Sequence, residues 1–598
     1  MQSSKHPLIE DIPRWNLNDL YCAPNDPALE SDLNKATSLA ENFHKDYHNN
    51  LANLDPKQFG KSITDYEAIS EMLQKAMSYG QLLFTVNMND GDIVRFYQTL
   101  QERVTDISTK TLFFTLEINR LSDSEIERKL NGDKTASRYR PWINEVRLFK
   151  THQLSDELEL YIHEKSVTGK AAWVRLFEET FSDMRFDVEG KKLTQSEVLN
   201  LLSDKDGKKR KAAAIAFGKT LSNNIRLLAL ITNTLAKEKE IEDRWRKYQR
   251  PVSSRNLANQ VEDEVVDALV SSVSESFENL SHRYYRLKAK WFNRESLDYW
   301  DRNAPLPFDD AALFSWNDAK DIVLSAYQSF SPQAGEIAAK FFDNSWIDAK
   351  PHEGKDSGAY SHSVVPSAHP YILMNFHGKS RDVMTLAHEL GHGIHQVLAS
   401  AQGTLMADTP LTTAETASVF GEMLTFRSMV DGAKDPARKK VLLAGKVEDM
   451  LNTVVRQVAF HNFETAVHKE RKEGELSTGR LAEIWLETQK KSLGPAINLD
   501  EAYGNFWSYI PHFIHTPFYV YAYAFGDCLV NSLYDVYLSG IDGFQEKYIS
   551  MLKSGGTKRH GELLAPFGLN AADPDFWKRG LGVVASFIDQ LEAMESTK

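Results

Sequence analysis

One stretch narrows the fold of this chain more than any other: Thr385-Leu386-Ala387-His388-Glu389-Leu390-Gly391-His392-Gly393-Ile394. It contains H-E-x-x-H. On an α-helix, residues four apart project from one face, so His388 and His392 can bring two imidazole nitrogens to one point. The residues around them, Leu386, Ala387, Leu390, Gly391, Gly393 and Ile394, are all uncharged. A solvated helix would carry Lys or Glu in such a run, and a buried one would not. Two histidines and a carboxylate on a buried helix are costly unless something satisfies them. A zinc ion on His388 and His392 does so, with Glu389 beside the open coordination position as general base. Chance placement of 18 histidines in 598 residues gives on the order of 0.04 such matches, so a polar helix satisfied in some other way is the weaker reading.

Composition sets the outer bounds. A chain of 598 residues allows about two to four domains. Hydrophobic residues at 42% and charged residues at 26% are ordinary for a soluble globular protein. A net charge of −13 disfavours non-specific nucleic-acid binding. The two cysteines, Cys22 and Cys528, favour a reducing compartment. Met1 to Trp15 lacks the apolar core of a signal peptide, and no run approaches 18 apolar residues, so a cytoplasmic protein without a membrane partner is expected.

Along the chain the pattern is mainly helical. Residues 1–27 read as an extended arm punctuated by Pro7, Pro13, Pro24 and Pro27. From Ala28 to about Leu130 apolar residues recur at three and four, with Phe96–Leu121 as one long run. Residues 141–180 add helices with Trp142, Val146, Phe149, Leu158 and Tyr161 as core candidates. Met184–Thr194 reads as a β-hairpin, and Thr194 with Glu197 as a capping box. A helix over Lys208–Trp245 and further helices over 262–295, 317–329 and 334–344 follow. Ala359–Val365 and Tyr371–Phe376 read as strands, and Ser380 as the cap of the motif helix, with Asp382 in its first turn. A strand just before that helix can offer its edge to an extended peptide, or can be an ordinary core strand.

A catalytic zinc has three protein ligands and an open position. His395 lies about 10 Å along the helix axis from His388, too far to share an ion with both other histidines. It is assigned a supporting or structural place. In Leu411–Glu422, residues Glu415, Ser418 and Glu422 share one helical face. Two acids two turns apart suit one ligand and one partner that orients a ligand histidine, and spacing alone does not say which is which.

T-L-A-H-E-L-G-H-G-I-H-Q followed by E-T-A-S-V-F-G-E resembles the oligoendopeptidase F family, zinc metallopeptidases of the thimet oligopeptidase and neurolysin kind. Arg14–Tyr21, Gly358-Ala359-Tyr360 and Leu552–Thr557 resemble other segments of that family, so the likeness spans nearly the whole chain. The resemblance implies that Glu415 is the third ligand and Glu422 the partner acid. It implies one Zn2+ per chain, and a mainly α, two-lobed helical ellipsoid split by a deep channel, with a small β element beside the zinc helix. Such a channel would admit short unstructured peptides and exclude folded proteins. Residues 1–200 would then be an N-terminal helical domain and 201–598 the catalytic domain.

Amide hydrolysis builds negative charge on the scissile carbonyl oxygen, which a Tyr hydroxyl or a His N–H can stabilise. In His512–Gly526 three tyrosines alternate near His512 and His515. The resemblance implies a His and Tyr cluster in this region. Tyr523 and His512 are favoured, with Tyr521 and Tyr519 behind them, against the competing reading of aromatic packing. The expected activity is endopeptidase cleavage of internal bonds in short oligopeptides, with Glu389 as general base. A peptidyl-dipeptidase of the same fold, or a non-catalytic peptide binder with a vestigial metal site, are the alternatives.

Overall fold

Helix starts follow the capping chemistry written in the sequence. Asp26 accepts from the backbone of Ala28 ahead of the helix Pro27–Tyr47, and Asp55 with Gln58 forms a capping box ahead of Pro56–Thr85. Thr194 and Glu197 make the expected box. The computed structural model describes residues 12–308 and 313–596, so the start of the expected N-terminal arm, including Pro7, lies outside the described residues. Among the described residues the structure is mainly α-helical with three small sheets. The expected hairpin pairs Phe186–Val188 with Lys191–Leu193. The helix expected over Lys208–Trp245 runs from Gly207 to Trp245.

Contacts gather the chain into two compact units, each built from three stretches. The first takes Met1–Lys150, Ala311–Gly432 and Gly540–Gly568, and the second Thr151–Asp310, Ala433–Ser539 and Leu569–Lys598. Both therefore cross the division along the chain at residue 200. In the first unit, Leu33, Phe43, Phe59, Ile63, Phe114 and Ile143 lie in one buried cluster. In the second, the parallel pair Leu297–Asp298 and Ile497–Asn498 joins segments 200 residues apart.

Several elements differ from expectation. The run Phe96–Leu121 is two helices, Gly91–Thr109 and Phe113–Arg120. Thr109 and Thr111 hydroxyls bond back to the Thr105 and Ser108 carbonyls at 2.9 Å, a local alternative to the helical ladder. Phe149, Leu158 and Tyr161 are exposed, whereas Trp142 is buried. Apolar residues scattered singly on a surface are normal, so periodicity over-predicts the core. Ser380 is the first helical residue, not the cap. The Asp382 carboxylate reaches back instead and accepts from the backbone N–H groups of His377 (2.7 Å) and Lys379 (3.0 Å).

Tyr371–Leu373 is the central strand of a three-stranded sheet, parallel to Ile347–Asp348 and antiparallel to Tyr360–His362. Both its edges are occupied, so the edge strands of this sheet are Ile347–Asp348 and Tyr360–His362. Ser361 of that strand is clasped by the motif helix: Gln396 Nε2 donates to its carbonyl at 3.1 Å, and its hydroxyl donates to Gln396 Oε1 at 2.8 Å.

Candidate metal centre

Two helices of the first unit build the site. The motif helix spans Ser380–Ala399, and the second, Thr416–Gly432, follows a short turn, Leu411–Ala414, with Glu415 at the junction. Their close approach requires glycine. A Cβ on Gly391 would lie 2.6 Å from Ser418 Cα, inside any real contact. A Cβ on Gly421 would lie 2.9 Å from Cε1 of Tyr327, whose hydroxyl donates to the Ala387 carbonyl at 2.7 Å. From the last stretch of the unit, Tyr548 donates to the Thr416 carbonyl at 2.8 Å. Two buried phenols therefore tie the backbones of the two helices in place. Leu386, Ala387, Leu390 and Ile394 are buried around them, as the uncharged run predicts.

The outcome is a convergent donor set. One ligand atom each from His388, His392 and Glu415 falls within 4.8 Å of the others. Glu415 Oε2 lies 3.4 Å from His388 Nε2 and 3.5 Å from His392 Nε2. Each ring also has a further acceptor. His388 Nδ1 is 3.4 Å from Glu422 Oε2, and His392 hydrogen-bonds the Ala414 backbone carbonyl. Ser418 donates to Glu415 Oε2 at 2.6 Å. Of the two acids that spacing alone left equivalent, Glu415 is the one inside the donor set. His395 is buried and outside it, and burial pushes its pKa down to about 4.

Glu389 is buried beside this set, with the Ser361 backbone N–H near enough to favour its charged form. Burial, followed by the Glu415 charge, pushes its carboxyl up to about 7 against the pull of His388. Burial opposes charge on His388, but the Glu422 hydrogen bond and the charges of Glu415 and Glu389 outweigh it and hold its pKa up at about 9. His392 is pushed down by burial and by the His388 charge. Three carboxylates and two imidazoles thus share a confined space with conflicting demands, which a dication among their lone pairs resolves. Two imidazoles and one carboxylate are a donor set suited to zinc, each ligand histidine oriented by a further acceptor. Sequence reasoning missed Ser361, Gln396, Ala414, Tyr327 and Tyr548. All five act through backbone groups or bond backbone groups brought from elsewhere in the chain, and Ala414 carries no side-chain signal at all.

The other sequence-predicted residues lie in the second unit. His512 Nε2 and the Tyr523 hydroxyl are 3.3 Å apart, and Tyr519 stands beside both rings. Tyr523 is 37% exposed, whereas Tyr521 is 0% exposed and its hydroxyl accepts from Asn259 Nδ2 at 2.9 Å. Tyr521 is therefore a core residue, while His512 and Tyr523 are reachable from solvent.

Known proteins share this arrangement of chain. The family model described as Peptidase family M3 matches residues 200–583, and that described as Oligopeptidase F matches residues 117–186. The chain is 26% identical to Oligopeptidase PepF of Bacillus subtilis over 97% of its own length and 87% of the relative's. A crystal structure from Chlamydophila abortus superposes with a TM-score of 0.86 at 21% identity, covering 97% of this chain and 98% of that one. The oligoendopeptidase-F of Enterococcus faecium gives a TM-score of 0.72 at 20% identity, covering 96% and 99%. These two likenesses establish the fold, and the matched model covers well over half the sequence. With the His388, His392 and Glu415 donor set at its centre, the chain belongs to the M3 peptidase (oligoendopeptidase F) family.

Proposed function

We propose that this chain is a zinc-dependent endopeptidase that cleaves internal bonds of short, unstructured oligopeptides. The observation that carries the proposal is the three-donor metal set with the buried Glu389 next to His388. Zinc on His388, His392 and Glu415 supplies, when bound, a Lewis acid that polarises the scissile carbonyl and activates water. Glu389 takes the proton from the attacking water and passes it to the leaving amine. Tyr523 and His512 donate hydrogen bonds to the carbonyl oxygen as it gains charge. Glu422 and the Ala414 carbonyl keep the ligand imidazoles oriented.

The edge strand Tyr360–His362 is where an extended peptide would pair. Residues two apart along a strand face the same edge. Because Glu389 and Gln396 already engage Ser361, pairing falls to its neighbours on that edge, Ala359 and Ser363.

The test is cleavage of a mixed peptide library with and without a zinc chelator, read by mass spectrometry. Internal cuts in end-blocked peptides that vanish with chelator support the proposal, and chelator-resistant cleavage ends it. Glu389→Gln is expected to lose at least about 100-fold in turnover while keeping its zinc. Full activity in that variant would sink the proton-transfer role.

A further inference from the structure

The segment that carries His512 and Tyr523 bends through a strained turn, and the structure offers it one buried anchor. The short helix His512–His515 gives way at Thr516, and the next helix starts at Tyr521. Between them Phe518, only 1% exposed, has a φ of 61°. A bulky L-residue adopts this left-handed conformation only when its surroundings impose it.

The surroundings come from the helix Arg456–Arg471, which presents His461, Glu464 and His468 on one buried face. Glu464 Oε1 accepts the backbone N–H of Phe518 at 2.9 Å. The Phe518 ring packs against His468 and His461, with centroids 4.9 and 5.9 Å away. Arg255 Nε donates to the Pro517 carbonyl at 3.4 Å. Glu464 itself is 2% exposed, and its Oε2 has no hydrogen-bond partner. A half-satisfied buried carboxyl group is an expensive way to fill a helix face that leucine would fill without penalty. The contact that its carboxyl oxygen makes is to the strained residue.

We propose that Glu464 is a positioning residue that holds the Phe518 turn in its left-handed form and so keeps Tyr523 and Tyr519 in register with His512. This rests on the proposed roles of Tyr523 and His512. Without the acceptor, Phe518 relaxes to an ordinary backbone conformation. The peptide planes that follow rotate, and the 3.3 Å contact between His512 and Tyr523 is lost.

The test compares Glu464→Gln, which keeps an oxygen acceptor, with Glu464→Leu, which does not. In the zinc-loaded full chain, Glu464→Leu is expected to lower kcat about 100-fold, the size of losing one oxyanion donor, with KM within about threefold. Zinc content stays unchanged, and Glu464→Gln stays near wild type. Hydrogen–deuterium exchange is expected to rise in the peptide spanning 512–525 in the leucine variant and not in the motif helix. Unchanged exchange there, or raised exchange with unchanged kcat, overturns the proposal, as does an equal loss in the glutamine variant. Tyr523→Phe is run alongside. If it keeps full kcat, the donor assignment fails, and the exchange result alone sustains or overturns the holding of the turn.

Discussion

Nδ1 of His388 lies 3.4 Å from Oε2 of Glu422, on the opposite side of the ring from Glu415. Glu415 at the junction and Glu422 on the helix that follows therefore flank this imidazole from both sides, seven residues apart. Such outer acids fix the tautomer and raise ligand basicity. Glu422→Gln is expected to weaken zinc binding about 10- to 100-fold without unfolding the chain. Competition against a chromophoric chelator measures it, and an unchanged zinc affinity would remove Glu422 from the metal centre.

Gly391→Ala tests the close approach of the two helices. The new methyl meets Ser418 and the Ala417 backbone, which cannot swing aside as a flexible side chain can. We expect a stability loss of about 1–3 kcal/mol and weaker zinc binding, because Glu415 is pushed away from the histidines. Thermal melts with and without zinc separate the two effects. Alanine at Gly445, with nothing within 4 Å of its added methyl, serves as the control.

Tyr521 and Tyr523 are two residues apart and chemically alike, yet opposite outcomes are expected. Tyr521→Phe removes a buried hydroxyl bonded to Asn259 and should cost about 1 kcal/mol of stability with kcat unchanged. Tyr523→Phe should leave the melting temperature in place and lower kcat about 100-fold. Steady-state kinetics and a melt on each variant read both.

Stability should fall on either side of about pH 6.5, within the contributions of three buried groups of the second unit. Burial pushes His461 down to about 4 and His468 to about 3, so between those values and 6.5 the unfolded chain binds protons that the folded one refuses, and acid destabilises. Burial pushes Glu464 up to about 8, so between 4.5 and 8 the folded chain holds a proton that the unfolded one releases, and alkali destabilises. Over most of the acid range two histidines oppose one glutamate, leaving about 1.4 kcal/mol per pH unit in their favour. Glu464→Gln should abolish this group's loss between pH 6.5 and 8 and steepen the acid limb. Denaturant midpoints for both proteins from pH 5 to 8 check it, since all other titrating groups cancel in the difference.

How much of this was legible in the sequence depends on how local each cause is. The motif helix, the Gly207–Trp245 helix, the hairpin and the Thr194 box rest on neighbours within a few residues, and all were readable. Ser380 failed as a cap because a stronger acceptor, Asp382, stood two residues further on. Whether Tyr371–Leu373 offers an edge or sits in the core stayed open, because its pairing with Ile347–Asp348 is not encoded near Tyr371. At the site, the histidines and the pair of acids were visible as a pattern, but spacing did not distinguish Glu415 from Glu422. That choice depends on which nitrogen each acid meets: Glu415 Oε2 faces Nε2 of both histidines, whereas Glu422 faces Nδ1 of His388. Alternating tyrosines likewise do not declare which one is inward, and Asn259, more than 250 residues away in sequence, marks Tyr521.

The interleaving of the two units bears on the order in which the molecule is made. The unit with the metal-binding side chains needs Gly540–Gly568, and Tyr548 from that stretch ties down the helix just after Glu415. A ribosome translating this message makes all three donors before it reaches Tyr548, so the helix that follows Glu415 gains its tether only later. A growing chain would therefore carry an unfinished metal centre until the stretch holding Tyr548 had emerged and packed.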